Sequence, residues 1–397
     1  MTRKGTIAIL TGGGDVPGLN PAIRAVTIRA TREGYRVLGV RRGWRGLVDV
    51  IPDPDADNSN AIIELTPEVV RRIGRTGGTF LHSSRTRPSH LPRPFVPLHL
   101  QDRYLDEVND ITPEILRNLE FLGVDTLIAI GGDDTLSYAH RLHTDGAKVI
   151  AIPKTMDNDV PGTDYCIGFS TCVTRTIEFT HRLRTSAGSH ERILVVEAFG
   201  RYAGYTALVP AMAGAADRCV IPEHPFDIEH LTELLVEDRN QNPSHYSVVL
   251  ISEGATMVGG DAMTFSDEEE DQYGHKKLGG IGDRVSAAIS ELSPKYNSGK
   301  QINTTNQRLG YLVRSGDPDA LDSIVPMAFG NLALNLVEQG KSGLLVAVRN
   351  GVYDSVPVDA VVGEKKVVDV DQFYDTERLR PIYTTFVGKP LFIMTSG

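Results

Sequence analysis

The sequence TIAILTGGGDVPGLN, residues 6–20, decides the fold because its apolar run ends at three consecutive glycines. The run Thr6–Leu10 is typical of a buried strand, and the spacing of Leu19, Ile23 and Val26 predicts a helix directly after the turn. Glycines let a backbone approach a phosphate closely, and the start of the following helix points N–H groups at the anion. The stretch therefore predicts an α/β protein. Its turn is either an anion-binding loop or a tight connection without a ligand.

The order of strand and helix recurs along the chain. Strand-like runs at residues 36–40, 126–130, 148–152, 193–196 and 247–251 alternate with helix-like segments. Such alternation predicts parallel sheets that are covered by helices on both faces. Because 397 residues exceed one ordinary hydrophobic core, we expect two lobes.

Three local features refine this pattern. Thr112 and Pro113 predict the start of a helix, with the threonine as its cap and the proline in its first position. Residues 86–110 are rich in Pro, His and Arg and interrupt the alternation. The acidic run Asp267–Asp271 predicts a solvated loop. The sequence assigns no function to the last two segments.

The composition excludes several classes of protein. With 41 basic and 51 acidic residues the net charge is −10, which disfavours nucleic acid and anionic membranes as partners. No apolar run reaches the roughly 18 residues that a membrane span needs, and the polar start Met1–Gly5 does not resemble a signal peptide. The cysteines Cys166, Cys172 and Cys219 show no CxxC spacing, which argues against disulfides or zinc. We therefore expect a cytoplasmic protein whose anionic ligands bind in a local cationic pocket.

Two later strands also end in polar residues, at the edge of a parallel sheet where ligands bind. In GGDDT, the carboxylates of Asp133 and Asp134 either cap the next helix or hold Mg²⁺ through water. In PKTMDND, Lys154 stands three residues before Asp157, and the segment is either an ordinary turn or the location of a general base. An aspartate with the usual pKa of about 4 is ionised at pH 7 and can accept a proton.

In their order and spacing, these three segments resemble the phosphofructokinase family. The resemblance covers roughly residues 6–335 and continues through Glu191–Arg201, Ser252–Gly254 and Leu309–Arg314, the last of which resembles a phosphate-binding strand. It implies an α/β fold of two Rossmann-like lobes, with parallel sheets covered by helices and the active site in the cleft between them.

The resemblance also implies a division of labour between the lobes. Residues 1–165 with 316–365 would bind the phosphoryl donor and Mg²⁺, and residues 166–315 would bind the sugar phosphate. Residues 366–397 would form a C-terminal extension of unclear role.

Specific roles follow from the family motifs. Gly14 would contact the donor phosphate, Asp133 would serve Mg²⁺, and Asp157 would accept the proton of the C1 hydroxyl of fructose 6-phosphate. Arg201 would stabilise charge on the transferring group. Arg192 and Arg314 would hold the 6-phosphate, with Arg192 reaching in from a neighbouring subunit, which implies a homodimer or homotetramer with shared active sites. The substrate-binding residues would be Thr155, Asp157, Arg192, Phe199, Gly200, Arg201, Glu253, Tyr311 and Arg314.

Two residues predict the donor. ATP-using members of the family usually carry glycine at the positions of Asp134 and Lys154, which leaves room for the α-phosphate and ribose. Asp134 would repel an α-phosphate, and Lys154 would fill part of that space and attract pyrophosphate. Two charges about 4 Å apart interact by about 4 kcal/mol at an effective dielectric constant of about 20, which is enough to select a donor. The pair is typical of the pyrophosphate-dependent branch, whose reaction is reversible; a structural ion pair between the two residues is the alternative.

Some positions depart from the family pattern. Thr305 stands where an arginine for the 6-phosphate is expected, Arg308 is a candidate substitute, and Tyr311 replaces a histidine. Thr76 and His82 also differ from the usual residues. A longer acceptor such as sedoheptulose 7-phosphate therefore stays open.

Three other functions compete with the main hypothesis. The first is an ATP-dependent phosphofructokinase, and the second is an NAD or lipid kinase, which shares the GGDxT motif. The third is a sugar-phosphate sensor without activity, although such a sensor would be expected to lack Asp133 or Asp157.

Overall fold

The computed structural model describes residues 4–260, 265–270, 276–278 and 280–383. These residues form two compact units. The first comprises the described residues up to Thr155 together with Val160–Gly168 and Ser315–Glu364. The second comprises Met156–Asp159, Phe169–Arg314 and the described residues from Lys365 onward.

Strands make up the centre of each unit. In chain order they are β1 (Gly5–Thr11), β2 (Tyr35–Val40), β3 (Ile62–Glu64), β4 (Leu91–Pro92), β5 (Val108–Asn109), β6 (Thr126–Gly131), β7 (Val149–Pro153), β8 (Ile193–Ala198), β9 (Arg218–Val220), β10 (Ser247–Ser252), β11 (Phe265–Glu270), β12 (Lys276–Leu278), β13 (Thr304–Arg308), β14 (Leu344–Arg349), β15 (Val352–Pro357), β16 (Tyr374–Asp375) and β17 (Arg380–Pro381).

Helices connect most of these strands. They are α1 (Leu19–Arg32), α2 (Trp44–Asp49), α3 (Thr112–Phe121), α4 (Asp133–Thr144), α5 (Phe169–Ser189), α6 (Tyr205–Met212), α7 (Ile228–Gln241), α8 (Ile281–Tyr296), α9 (Ala320–Glu338) and α10 (Val370–Phe373).

The sheet of the first unit has the strand order β15-β14-β7-β6-β1-β2-β3. Its central pairs are parallel, whereas β3 and β15 pair in antiparallel fashion at the two edges. Alternate residues Ala8 and Leu10 of β1 pack in one cluster with residues of α2, α3 and α4. Helices α1 and α9 pack against each other and also contact this sheet. The predicted α/β class, with mostly parallel strands and a helical cover, is confirmed; the antiparallel edges are new.

The sheet of the second unit has the order β13-β8-β10-β9, and all of its pairs are parallel. Helices α5 to α8 pack against it. The predicted strands at 193–196 and 247–251 are confirmed as β8 and β10. The cleft expected between two lobes stays a prediction.

The predicted helix after the glycine turn is confirmed as α1. Leu19, Ile23, Val26 and Ala30, spaced by three or four residues, are all buried. The helix starts after Gly18, whose φ of 108° lies in the left-handed region. An ideal Cβ there would come within 2.6 Å of Ile167. Glycine is therefore required at the residue that directly precedes the helix.

The predicted helix is confirmed as α3, but it starts one residue earlier than predicted, and Thr112 is not its cap. Thr112 is the first helical residue and Pro113 the second. The carboxylate of Asp110 accepts hydrogen bonds from the backbone N–H of Thr112 at 2.9 Å and from its hydroxyl. Aspartate and threonine are both common at helix starts, so composition could not decide between them.

Residues 267–270 of the acidic run form part of β11 rather than a loop, and Asp271 lies outside the described residues. The backbone of β11 pairs in antiparallel fashion with β12. Composition could not predict this pairing because a strand depends on the partner segment as well as on its own residues.

Helix α9 is the one described helix with the length and hydropathy of a membrane span, with a mean hydropathy of 1.4. Its Asp322 is buried and accepts hydrogen bonds from the hydroxyl of Tyr165 at 2.7 Å and the N–H of Gly168 at 2.8 Å. Because α9 also packs along α1, we assign it to the core of the first unit.

Candidate active site

The glycine turn after β1 is held by backbone hydrogen bonds on both sides. The N–H of Gly12 donates to Ile130 at 2.9 Å, and the N–H of Gly13 donates to Ser84 at 3.0 Å. The hydroxyl of Ser83 donates to the carbonyl of Gly13. Within the described part of the chain, the N–H of Gly14 donates to no backbone acceptor. The turn therefore presents one backbone donor on a fixed loop, as a phosphate site requires.

Close packing explains why this turn consists of glycines. An ideal Cβ at Gly12 would lie 2.4 Å from the hydroxyl oxygen of Thr135, which no real structure tolerates. Gly13 has a φ of 78°, a conformation that favours glycine. The turn is thus specified by the first residues of α4 as well as by its own sequence.

Lys154 lies next to this turn. It follows β7 and is only 4% exposed. Its Nζ donates to the carbonyl of Gly14 at 2.7 Å. An ideal Cβ on Gly13 would lie 3.4 Å from the same Nζ. A buried ammonium is costly unless it has partners, and its field favours an anion beside the turn.

Asp133 and Asp134 are the first two residues of α4, where a negative charge is favourable. Gly132 is the residue before the helix, and no side chain caps the helix start. The Asp134 side chain is 60% exposed and pairs with Arg87 at 2.9 Å. We predicted that the negative charge of Asp134 repels an α-phosphate. Arg87 offsets part of that charge.

Arg87 was not predicted as a site residue. It belongs to the Pro-, His- and Arg-rich segment 86–110, whose composition indicated an interruption of the fold but no function. The segment is built of short 3₁₀ turns and the small antiparallel pair β4–β5. Its chain path, which places an arginine at Asp134, could not be inferred from residue types.

Asn20 is a second residue whose role the sequence did not indicate. Its side-chain amide donates to the carbonyls of Thr76 and Gly77 at 3.0 and 3.2 Å, and its Oδ1 accepts from the N–H of Phe80 at 2.7 Å. The buried Asn20 thereby fixes residues 76–80, the loop that precedes Ser83.

Among the predicted residues, the structure brings Gly14 and Lys154 together in the first unit and places Asp133 and Asp134 at the neighbouring strand end. Gly131 of β6 is in register with Pro153 of β7. We call this set the donor side: Gly12–Gly14, Asp133, Asp134 and Lys154. Thr155 follows at the same strand end, and its N–H donates to Ile167 at 3.1 Å.

Asp157 belongs to the second unit and is influenced there by other carboxylates and by a cation. Its Oδ2 accepts from the backbone N–H of Arg201 at 3.4 Å. Burial raises the pKa of Asp157 well above its usual range, and the carboxylates of Asp159 and Glu253 raise it further. The N–H of Arg201 and the ammonium of Lys365 lower the pKa of Asp157. The sequence-based expectation of an ordinary pKa is therefore wrong.

Glu253 directly follows β10. Its N–H donates to the carbonyl of Ala198 at 2.9 Å, which ties the ends of β8 and β10 together. Burial raises the pKa of Glu253 to about 7, Arg201 opposes the shift, and the carboxylate of Glu197 adds to it. Glu253 therefore titrates near neutral pH.

Phe199, Gly200 and Arg201 form the loop after β8. The hydroxyl of Thr206 donates to the carbonyl of Phe199, and the carbonyl of Gly200 accepts from the N–H of Gly254 at 3.1 Å. Gly200 has a φ of 114°, and an ideal Cβ there would lie 2.8 Å from a backbone oxygen. The interlocked loops fix the backbone that carries Arg201.

Arg192 lies at the start of β8. Its Nη1 donates to the hydroxyl of Thr305 at 3.3 Å, and its Nε is buried without an acceptor among the described residues. Arg308 does not lie beside Arg192: its guanidinium pairs with the buried Glu197 at 2.9 Å. Arg308 is thus engaged in the fold and is a poor substitute for the missing 6-phosphate arginine.

The segment that resembles a phosphate-binding strand differs from that expectation. The strand β13 ends at Arg308, and Gly310–Val313 form a 3₁₀ turn. Tyr311 is 68% exposed, and the guanidinium of Arg314 stacks on its ring at 4.6 Å. Glycine at 310, with a φ of 47°, permits the change of direction. We call Asp157, Arg192, Phe199–Arg201, Glu253, Tyr311 and Arg314 the sugar side.

The donor side offers ligands that suit a hard metal ion. Mg²⁺ prefers oxygen ligands, and it keeps several waters when phosphates complete its shell. The described residues contain no cluster of three or more His, Cys, Asp or Glu side chains that could enclose a metal. One buried carboxylate oxygen of Asp133 lies at the start of α4. The carboxylate of Asp133 therefore fits an Mg²⁺ ion whose other ligands are waters and the phosphates of a bound ligand.

Enzymes that move phosphoryl groups rely on fixed cations and backbone amides more than on covalent chemistry, and this fold provides both. In these features the protein resembles an α/β phosphotransferase. The chain belongs to the phosphofructokinase family, because the family model described as Phosphofructokinase matches residues 6–337.

Individual relatives carry more specific names. A protein of Dictyoglomus thermophilum named pyrophosphate–fructose 6-phosphate 1-phosphotransferase is 38% identical over 94% of this chain and 97% of its own length. ATP-dependent 6-phosphofructokinase 3 of Streptomyces coelicolor is 36% identical over 91% of this chain and 96% of its own. A solved phosphofructokinase from Saccharomyces cerevisiae has a TM-score of 0.71 at 24% identity over 90% of this chain, which spans 45% of the yeast chain.

Proposed function

We propose that this protein transfers a phosphoryl group from pyrophosphate to the C1 hydroxyl of fructose 6-phosphate. The products are fructose 1,6-bisphosphate and phosphate, and the reaction is reversible, so that it serves both glycolysis and gluconeogenesis. Membership of the phosphofructokinase family and the relative named for this reaction support the proposal. Membership of this family also argues against the alternatives of an NAD kinase or a lipid kinase.

The position of Lys154 carries the choice of donor. Its buried ammonium is bonded to the carbonyl of Gly14, so a positive charge is fixed at the turn that would hold the donor phosphate. In this position the cation compensates the free end of pyrophosphate, and its side chain occupies volume that a nucleotide would need. Asp134 supports the choice less strongly, because Arg87 neutralises part of its charge.

Mg²⁺ is part of the proposal. Asp133 would hold the ion together with waters and the donor phosphates. When bound, Mg²⁺ supplies positive charge that stabilises the transferring phosphoryl group. The N–H of Gly14 would bind a donor oxygen, and Asp134 would limit the donors that fit.

Asp157 is the proposed proton acceptor. The C1 oxygen forms its bond to phosphorus as the bond to the leaving phosphate breaks, and its proton moves to the Asp157 carboxylate. A raised pKa brings a carboxylate closer to the operating pH, which improves a general base as long as enough of it is ionised. Arg201 would stabilise the charge of the transferring group, and Thr155, Phe199, Gly200 and Glu253 would position the sugar.

The arginines of the sugar side are the proposed site for the 6-phosphate. A guanidinium binds phosphate oxygens through paired hydrogen bonds, and Arg192 and Arg314 each have a buried Nε. Tyr311 would line the same site. We also propose that Arg192 acts in the site of a neighbouring subunit, in a homodimer or homotetramer.

A cytoplasmic location is consistent with the cysteines. None of the three, Cys166, Cys172 and Cys219, forms a disulfide, and all are buried. Proteins of oxidising compartments more often use cysteines in disulfides. The proposed substrates are small metabolites, and the proposal includes neither nucleic acid nor a membrane as a partner.

A donor comparison tests the proposal. The purified protein is assayed with Mg²⁺ and fructose 6-phosphate, with pyrophosphate or ATP as donor. Turnover with pyrophosphate alone is expected. Turnover with ATP alone would favour the function named for the Streptomyces relative, and no turnover with either donor would overturn the proposal. Sedoheptulose 7-phosphate serves as a second acceptor in the same assay.

A double variant tests the residues that select the donor. Asp134→Gly with Lys154→Gly is expected to lower kcat/KM for pyrophosphate at least about 100-fold, because a fixed charge near the donor contributes a few kcal/mol. The KM for fructose 6-phosphate should stay within about twofold, since the sugar side is untouched. The exposed pair Asp55→Gly with Lys300→Gly is the matched control. Unchanged pyrophosphate turnover in the double variant would contradict the assignment.

A further inference from the structure

The chain continues beyond the family match and returns to the sugar side. The family model ends at residue 337, whereas residues 365–368, which we call the C-terminal strap, belong to the second unit. The N–H of Lys366 donates to the carbonyl of Asp159 at 3.1 Å. The strap thus contacts the loop that carries Asp157, two residues before Asp159.

The strap is also attached to the segment that follows Arg201. The hydroxyl of Tyr205 donates to the carbonyl of Val367 at 2.5 Å. The carboxylate of Glu223 accepts from the N–H of Val368 at 2.8 Å and from the N–H of Gly204 at 2.9 Å. Three backbone positions of the strap are therefore fixed, against Asp159, Tyr205 and Glu223.

Lys365 places its charge beside Asp159. Its Nζ lies 3.3 Å from Oδ2 of Asp159 and 4.5 Å from the centre of the Tyr202 ring. Asp159 is buried, and its side chain keeps only 11% of its exposure. Two independent contacts, an ion pair and a cation–π contact, hold the ammonium in one place.

We propose that Lys365 is a positioning residue for phosphoryl transfer: it holds Asp159, and with it the loop of Asp157, and it places a positive charge beside that loop. This inference rests on the proposed function, because it assumes that Asp157 accepts the sugar proton. Nothing in the family motifs would indicate it, since Lys365 lies 28 positions beyond residue 337, where the family match ends.

The charges around Asp157 explain why a cation is needed. Burial, Asp159 on the same loop and Glu253 after β10 raise the pKa of Asp157, while the N–H of Arg201 and Lys365 lower it. Of these four groups, Lys365 alone contributes a full positive charge. Without it, the pKa of Asp157 rises further, and less of the base is ionised at neutral pH.

Three variants test this inference in the full-length protein with Mg²⁺, fructose 6-phosphate and pyrophosphate. Lys365→Met removes the charge and keeps much of the side-chain length, Lys365→Arg restores the charge, and Lys300→Met removes an exposed lysine of the same unit as a control. For Lys365→Met we expect kcat at pH 7 to fall about three- to tenfold. The acid limb of the kcat profile should move up by about half a unit to one unit.

Further readouts separate positioning from general stability. The KM for both substrates should stay within about twofold in Lys365→Met, and Lys365→Arg should restore most of kcat and the acid limb. A fall of kcat with an unmoved acid limb, or without recovery in Lys365→Arg, would reduce Lys365 to a structural role and overturn the inference. The same holds if Lys365→Met and Lys300→Met behave alike.

Failure of the proposed function is distinguishable from failure of this inference. A wild-type protein without phosphoryl transfer to fructose 6-phosphate overturns both. An active wild-type protein whose pH profile is unchanged in Lys365→Met overturns only the role of Lys365.

Discussion

The donor side and the sugar side, the two proposed phosphate sites, consist of differently organised residues. On the donor side, Gly14, Lys154 and Asp133 stand at the ends of β1, β7 and β6, and a 2.7 Å hydrogen bond joins the lysine to the glycine turn. On the sugar side, Asp157 and Glu253 are carboxylates with raised pKa values, and their neighbours come from distant chain segments. The residues of the donor side lie in short sequence motifs, whereas those of the sugar side are brought together by contacts between distant chain segments.

This contrast has an electrostatic consequence. The donor side has a buried lysine, whereas the sugar side has a carboxylate, Glu253, whose pKa is raised to about 7. We therefore expect the pH dependence of the enzyme to originate in the sugar side.

The largest effect should come from the base of the sugar side. Asp157→Asn removes the proposed proton acceptor and should lower kcat by about 10²–10⁴-fold, the usual contribution of a placed general base. The KM for pyrophosphate should change little, because the donor side keeps all of its groups. Steady-state kinetics with both substrates varied measures this.

The control for this variant is Asp371→Asn, which removes an exposed carboxylate of the same unit. If Asp157→Asn kept more than about a tenth of wild-type kcat, another group would have to accept the proton. The contrast between the donor side and a sugar side that transfers protons would then fail.

A smaller effect is expected on stability. The pKa of Glu253 is raised from its ordinary value of 4.5 to about 7, so the folded protein binds a proton between these pH values that the unfolded chain does not. Stability therefore falls as pH rises through this range. Glu253→Gln removes that loss, and above pH 7 it should stabilise the fold by on the order of 1–3 kcal/mol relative to wild type.

Thermal unfolding at several pH values measures the difference. The melting temperature of Glu253→Gln minus that of wild type should increase between about pH 5 and pH 7.5 and then level off. Glu291→Gln, an exposed position of the same unit, should show no such trend. A difference that is constant with pH would contradict the raised pKa.

The smallest effect concerns the donor side. Arg87→Gln breaks an ion pair whose two side chains are 43% and 60% exposed, and such pairs contribute about 1 kcal/mol or less. We expect the KM for pyrophosphate to change by no more than about fivefold, and less at high salt. Arg71→Gln, at another exposed arginine, is the control. A change above about 50-fold would mean that Arg87 binds the donor directly.

Much of the architecture follows from the sequence because its elements have strong local patterns. The apolar runs that became β1, β6 and β10 are buried throughout most of their length, and the spacing in α1 matches its buried face. The glycine turn was predicted for the same reason, because three glycines in a row allow the backbone a close approach that other residues would prevent.

The remaining features depend on contacts between distant segments. The pairing of Asp134 with Arg87 and of Arg308 with Glu197 joins residues 47 and 111 positions apart. No local pattern encodes such pairs. The raised pKa of Asp157 has the same origin, because it results from burial and from carboxylates that the fold brings near. The strand β11 was missed because its partner, and not its composition, defines it.

The C-terminal strap lies outside the family motifs, although it contacts the loop of Asp157. A polypeptide ending at residue 364 would retain every segment by which the family is recognised and would lack the ammonium beside Asp159. Comparing family members by their motifs alone would rank such a shortened protein as equal to the whole. The tail should therefore be aligned and inspected whenever the catalytic competence of a relative is judged from its gene.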